Sequence, residues 1–131
     1  MTDALVTFVK ARLDEDEQVA QAATQGEWVW SREFVTPPGY HHRTIGPLEP
    51  GDSAHIARQD PARTLREVEA KRQLLDEHQD VNDGSCGTCV DGRWGYPTHG
   101  GSSPQPYPCR TLRLLALPYS DHTDYQEKWG L

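Results

Sequence analysis

Three cysteines set the strongest constraint on how this chain can fold. Cys86 and Cys89 are separated by two residues, Cys109 follows a Gly- and Pro-rich stretch, and there is no other cysteine among the 131 residues. A Cys-x2-Cys turn offers two thiolates side by side, as many tetrahedral zinc sites require. Three cysteines are too few for most iron–sulfur clusters, and an odd number does not fit paired disulfides. The pattern predicts one structural zinc ion; the competing interpretation is three unrelated free thiols.

Two histidines are candidates for the fourth ligand. His78 falls at the end of a predicted helix and Cys109 at the start of another, so an ion bound by both would join two helices. His99 lies inside the intervening loop and would close only that loop. We therefore favour His78 and keep His99 as the alternative, with water, Asp83 or Asp91 as lesser options. Four protein ligands leave no open coordination position, which is typical of a structural ion rather than a catalytic one.

The small size and polar composition of the chain give such an ion a role in stability. Only 35% of the residues are hydrophobic, and the chain contains 11 Gly and 10 Pro. A chain of this length is expected to form one small domain over residues 1–131, with residues 80–109 as a zinc-knuckle-like insert within it. Because so short a chain builds only a limited core, a bound metal would contribute substantially to folding.

Hydrophobic periodicity predicts a mainly α fold. Apolar residues recur at helical spacing from about residue 2 to residue 23 and again over 61–79. Asp60 and Pro61 precede the second stretch, and Asp at the N-cap followed by Pro at the first position is a typical helix start. Shorter helices are expected over 53–59 and 109–117.

The remaining segments predict a minor β element and two loops. Residues 27–36 are aromatic and β-branched, which indicates a short strand or a hairpin. Residues 37–52 and 80–108 are rich in Gly and Pro and are predicted loops, the second being the metal-stapled one. Near the end of the chain, Tyr125 and Trp129 have the spacing needed to pack together against the body of the protein. The tryptophans of 27–36, Trp28 and Trp30, are expected to pack on the helices.

The charge of the chain bears on its partners. A formal net charge of −7 disfavours binding to a phosphate backbone, so we expect a protein partner and a non-enzymatic interaction or regulatory module. The alternative is a small nucleic-acid-binding regulator that uses the helix face between residues 58 and 72. The candidate basic residues are Arg58, Arg63, Arg66, Lys71, Arg72, Arg110 and Arg113.

Two further expectations concern catalysis and location. Asp14 and Glu17 share a helix face, as in Mg²⁺-dependent nucleotide hydrolases, but a second acidic pair at this spacing is missing from the later helices, so we prefer a solvated acidic surface. The sequence has neither a basic, cleavable leader nor an apolar run of roughly 18–20 residues, which predicts no membrane contact and a cytoplasmic location. Reducing conditions there favour thiolate–metal bonds over disulfides.

Several stretches together carry a family resemblance. They are residues 55–58 and 60–72, residues 107–119, the later pair Asp124 and Tyr125, Trp129, and the acidic segment 13–17. In these stretches the chain resembles a family of short actinobacterial and actinophage proteins classed as domain of unknown function 6221. The resemblance implies an actinobacterial or phage source. It implies no activity, cofactor or catalytic residue.

Overall fold

A computed structural model describes residues 3–39, 43–81, 84–93, 96–97 and 103–131. Helices dominate these residues and the strands are short, which confirms the predicted mainly α class with a minor β element. The α-helices are α1 (Ala4–Ala22), α2 (Pro50–Arg58), α3 (Pro61–Glu77) and α4 (Arg110–Ala116). The strands are β1 (Val29–Ser31), β2 (Phe34–Thr36), β3 (Asp80–Val81), β4 (Ser85–Arg93), β5 (Tyr96–Pro97) and β6 (Ser103–Pro106).

The chain divides into two compact units. One consists of Met1–Leu13 and Lys71–Leu131 and contains all three cysteines; we call it the cysteine unit. The other, Asp14–Ala70, contains the β1–β2 hairpin and is called the hairpin unit. Helices α1 and α3 each contribute residues to both units. That the chain forms one domain stays a prediction.

Side-chain caps explain where the two long helices begin. The Asp3 carboxylate accepts hydrogen bonds from the backbone N–H groups of Leu5 (2.8 Å) and Val6 (3.3 Å), which have no partner inside α1. Asp60 does the same for α3 through the N–H of Arg63 at 2.9 Å. Pro61 then occupies the first position of α3, where its missing N–H costs nothing. The start of α3 predicted from Asp60 and Pro61 is therefore confirmed.

The core of the cysteine unit is built from α1, α4 and the end of the chain. Leu5, Val9 and Leu13 of α1 and Leu112 of α4 are fully buried. Trp129, which is 5% exposed, packs its ring 5.2 Å from that of Phe8. Tyr125 lies 5.5 Å from Trp129 and 6.0 Å from Phe8, both in edge-on arrangements that aromatic rings favour. The predicted packing of Tyr125 with Trp129 is thus observed.

The segment predicted as a metal-binding loop contains paired strands in its described part. Strand β4 is antiparallel to β3 on one side and to β6 on the other, with Cys86 opposite Asp80 and Ser85 opposite Pro106. The far end of β4 pairs with β5. The loop prediction for these residues was wrong because Gly and Pro have low strand propensity, while the strands are held by backbone pairing with the neighbouring β3 and β5 and with the later β6.

The hairpin unit holds β1, β2 and α2. Arg32 adopts φ 53° in the turn between the two strands. Val35 is fully buried, and its backbone exchanges hydrogen bonds of 2.9 and 2.7 Å with Ile45. The N–H of Trp28 donates to Asp60 at 3.1 Å, so one carboxylate caps α3 and also holds the chain leading into the hairpin. Within the described residues, no helix has both the length and the apolar character needed to cross a membrane.

Candidate metal centre

The four residues of the predicted metal site lie at the ends of two helices and within one strand. His78 follows the last residue of α3, and its N–H still donates to Leu74 O at 3.2 Å, as in a helix. Cys86 and Cys89 lie in the first half of β4. Cys109 is the N-cap of α4. Helix end, strand and helix start therefore converge on one point.

The distances from the imidazole nitrogen to the three sulfur atoms fit tetrahedral coordination of one metal ion. His78 Nδ1 lies 3.3 Å from Cys89 Sγ, 3.5 Å from Cys86 Sγ and 3.6 Å from Cys109 Sγ. All four ligand atoms are within 4.8 Å of one another. In a tetrahedron with Zn–S bonds of about 2.3 Å and Zn–N bonds of about 2.0 Å, the nitrogen–sulfur separation is about 3.5 Å. The four side chains could therefore hold one metal ion.

Backbone N–H groups around Cys86 favour the thiolate form of its side chain. The N–H groups of Thr88 and Cys89 point to Cys86 Sγ at 3.5 and 3.4 Å. The turn is fixed in place because the N–H of Gly87 donates to Gln79 O at 2.8 Å. A side chain at Gly87 would meet Val81 Cγ1 at 3.2 Å, a close approach that glycine avoids. Two donated hydrogen bonds to one sulfur stabilise its negative charge.

The thiols differ in acidity. Burial raises the pKa of Cys86, but the hydrogen bonds from Thr88 and Cys89, with those of His78 and Cys109, outweigh it and lower the pKa to about 7. Burial raises the pKa of Cys109 to about 11, and the neighbouring thiol Cys86 adds to the rise, because a second negative charge nearby is unfavourable. The metal-free cluster is therefore expected to carry a mixture of thiolate and thiol at neutral pH.

The cluster is shielded from solvent on most sides. Cys109 is 1% exposed, Cys86 2% and His78 7%, while Cys89 is half-buried. All three cysteines are free thiols. The hydroxyl of Thr111, in the first turn of α4, lies 3.9 Å from Cys89 Sγ. The sequence did not identify Thr88 and Thr111 as part of the site. The only sequence feature that could have pointed to them is that each lies within two residues of a cysteine.

The structure brings His78, the preferred fourth ligand, together with all three cysteines. The alternative His99 lies outside the described residues, as does Asp83, and the structure describes Asp91 only through its backbone. Among the described residues, the cluster at His78 is the only group of three or more His, Cys, Asp or Glu side chains placed to share a metal ion. The acidic run of α1 that contains Asp14 and Glu17 does not form a second one.

The basic residues divide between the two units. Arg58, Arg63 and Arg66 line one cavity of the hairpin unit. Arg72 and Arg113 belong to the cysteine unit, where Arg113 donates to Gly130 O at 3.2 Å. The structure therefore groups three of the seven candidate basic residues around one cavity.

A small, mainly α protein with a Cys3His cluster is the class that the fold and the site define. The chain belongs to the family of unknown function DUF6221, whose profile matches residues 2–131. It matches no curated protein and no solved structure. The family confirms the resemblance seen in the sequence, while the actinobacterial or phage source stays a prediction.

Proposed function

We propose that the protein binds one Zn²⁺ through His78, Cys86, Cys89 and Cys109, and that the ion is structural. The observation that carries the proposal is the separation of His78 Nδ1 from the three sulfur atoms, 3.3 to 3.6 Å. These values match the edge of a zinc tetrahedron with one nitrogen and three sulfur ligands. Three unrelated thiols would have no reason to surround the same ring nitrogen.

The donor set favours zinc over other metals. Soft thiolates with one imidazole suit zinc, whereas Mg²⁺ and Ca²⁺ take oxygen ligands. An iron–sulfur cluster usually needs a fourth cysteine, and the chain has three. Free thiols fit a reducing compartment, which supports a cytoplasmic location as part of this proposal.

A site closed by four protein ligands gives the ion a structural role. Four protein ligands fill the tetrahedron, so neither water nor substrate can reach the metal without displacing a ligand. The ligands come from the end of α3, from β4 and from the start of α4, which belong to different parts of the cysteine unit. Zinc would fix these segments to one another, much as a disulfide would in an oxidising compartment.

The biological role that we propose is a non-enzymatic interaction module with a protein partner. Exposed apolar side chains of the hairpin support it: Val29 is 63% and Phe34 41% exposed. The register pairs Ser31 with Phe34, which places Val29 and Phe34 on the same face of the two-stranded sheet. A photo-crosslinking residue at position 34 should capture a protein, whereas one at Glu15 of α1 should not; equal labelling from both would argue against this surface.

Metal analysis of the purified protein tests the zinc proposal. We expect inductively coupled plasma mass spectrometry to find one zinc per chain in the wild-type protein. The His78→Ala and Cys109→Ser variants should lose this zinc. His99→Ala and His55→Ala are the matched controls: the first removes the alternative ligand, the second an exposed histidine of α2. Wild-type protein without metal after expression in zinc-supplemented medium would overturn the proposal. Loss of zinc only in His99→Ala would identify His99, rather than His78, as the fourth ligand.

A further inference from the structure

A cavity of about 480 Å³ in the hairpin unit combines arginine and tryptophan side chains. It is lined by Trp28, Trp30, Arg58, Arg63 and Arg66, with small alanine side chains leaving the space between them. Pockets for small molecules generally measure roughly 300–1,000 Å³. None of these residues belongs to the metal centre, whose four ligands all lie in the cysteine unit.

The tryptophans provide an aromatic surface. The indole N–H of Trp28 donates to Thr24 O at 2.9 Å, so the polar group of this half-buried ring is already satisfied within the protein. Trp30 is 50% exposed, whereas its cross-strand partner Val35 is fully buried. Strand β1, which carries Trp30, contacts α2, in agreement with the expected packing on the helices, while half of the residue's surface stays exposed. An exposed indole at the edge of a cavity is suited to stack on a planar ligand.

The arginines provide positive charge. Arg58 and Arg66 are exposed and have no ion-pair partner among the described residues, whereas Arg63 Nε is bound to Glu67 at 2.9 Å. Two carboxylates also line the cavity. Asp60 is occupied by the backbone N–H groups of Trp28 and Arg63, and Glu27 is exposed. The lining thus carries three guanidinium groups against two carboxylates, a small local excess of positive charge in a chain whose net charge is −7.

We propose that this cavity binds a nucleoside phosphate, with the base stacked on Trp30 and the phosphate held by Arg58 and Arg66. Proteins that bind single-stranded nucleic acid combine an aromatic ring, on which a base stacks, with nearby cations that bind the phosphate. The same chemistry is offered by a free nucleotide and by single-stranded nucleic acid. The proposal gives a specific site to the nucleic-acid alternative raised by the sequence, restricted to the three arginines that line this cavity.

Calorimetric titration of the full, zinc-supplemented protein at low salt provides the test. The probes are AMP, adenosine, inorganic phosphate and a single-stranded oligothymidylate about eight nucleotides long, near the site size of small single-strand binders. We expect AMP to bind at least about tenfold more tightly than adenosine or phosphate, because only AMP uses both halves of the site. If the oligonucleotide binds more tightly than AMP and this binding is lost at high salt, the ligand is a nucleic-acid strand. If AMP binds as tightly as the oligonucleotide, the ligand is a free nucleotide.

Variants separate the site from a general charge effect. Trp30→Ala and Arg66→Ala should each weaken AMP binding about fivefold or more, as expected when one stacking or phosphate contact is lost. Lys10→Ala, which removes an exposed cation from the cysteine unit, should leave the Kd unchanged. Circular dichroism checks that each variant folds.

No heat of binding for either AMP or the oligonucleotide would overturn the proposal, and so would equal Kd values for wild type and both site variants. Because the cavity shares no residue with the metal centre, a protein without zinc would refute the zinc proposal and leave this one intact.

Discussion

His78 Nδ1 lies 3.6 Å from Cys109 Sγ, although the two residues are 31 positions apart in the chain. This contact joins the end of α3 to the start of α4, and the described part of the intervening segment is the β-sheet that carries Cys86 and Cys89. A bound ion at this point would hold the ends of both helices. The stability of the cysteine unit should therefore depend on the metal.

Removal of zinc is expected to destabilise the protein strongly. A ligand present at about 1,000 times its Kd stabilises the folded state by about 4 kcal/mol. For a chain of this size, that corresponds to a fall in Tm of about 10 °C or more after treatment with a strong zinc chelator. Circular dichroism melts before and after chelation measure the difference, and added Zn²⁺, but not Mg²⁺, should restore the original Tm. An unchanged Tm would show that the cluster does not support the fold.

The affinity for zinc should fall as the pH falls. In the metal-free protein the pKa of Cys109 is raised to about 11, so this thiol keeps its proton at neutral pH and must lose it to bind the metal. Each proton displaced lowers the apparent affinity about tenfold per pH unit. Below pH 7 the dependence should steepen, because Cys86, with a pKa of about 7, also becomes protonated.

Competition with a chromophoric chelator between about pH 6 and pH 9 measures this dependence. Zinc affinity that is constant above pH 7 would contradict the assignment of Cys109 as a thiol that is protonated in the metal-free protein.

Leu112 and Leu114 of α4 offer a matched test of the core. Leu112 is fully buried, whereas Leu114 is 43% exposed on the same helix. Leu112→Ala should cost about 2–5 kcal/mol in free energy of unfolding, because it leaves a cavity beside the metal-binding turn. Leu114→Ala should cost under about 1 kcal/mol. Urea denaturation of the zinc-bound proteins gives both values. Equal losses would contradict the difference in burial, and a larger loss for Leu114→Ala would mean that α4 packs on its other face.

The two roles of Asp60 can be separated by substitution. Asp60→Ala removes the α3 cap and the acceptor for Trp28 N–H, and should cost about 2 kcal/mol in free energy of unfolding. Asp60→Asn keeps a capping oxygen but loses one of the two acceptors, so its cost should be smaller. Denaturation curves followed by tryptophan fluorescence distinguish the variants. A loss in Asp60→Asn as large as in Asp60→Ala would mean that the bond to Trp28, rather than the cap, carries the stability.

The sequence by itself determined the elements whose causes are local. The starts of α1 and α3 follow from Asp3, Asp60 and Pro61, because capping depends on residues within one turn of the helix end. The buried faces of these helices follow from apolar spacing. The cysteines and His78 could be named as candidate ligands because donor chemistry and position relative to helix ends are properties of the chain itself.

The tertiary structure decided what depends on contacts between distant residues. Strand β4 contains Gly87 and Gly92 and has little local propensity, and its pairing with β6, a separate segment later in the chain, helps to make it a strand. Exposure is equally non-local: Trp28 and Trp30 have similar sequence contexts, yet one is half-buried and the other 50% exposed. Three arginines meet at one cavity because α2 and α3 both contribute to its lining, which no spacing along the chain could specify.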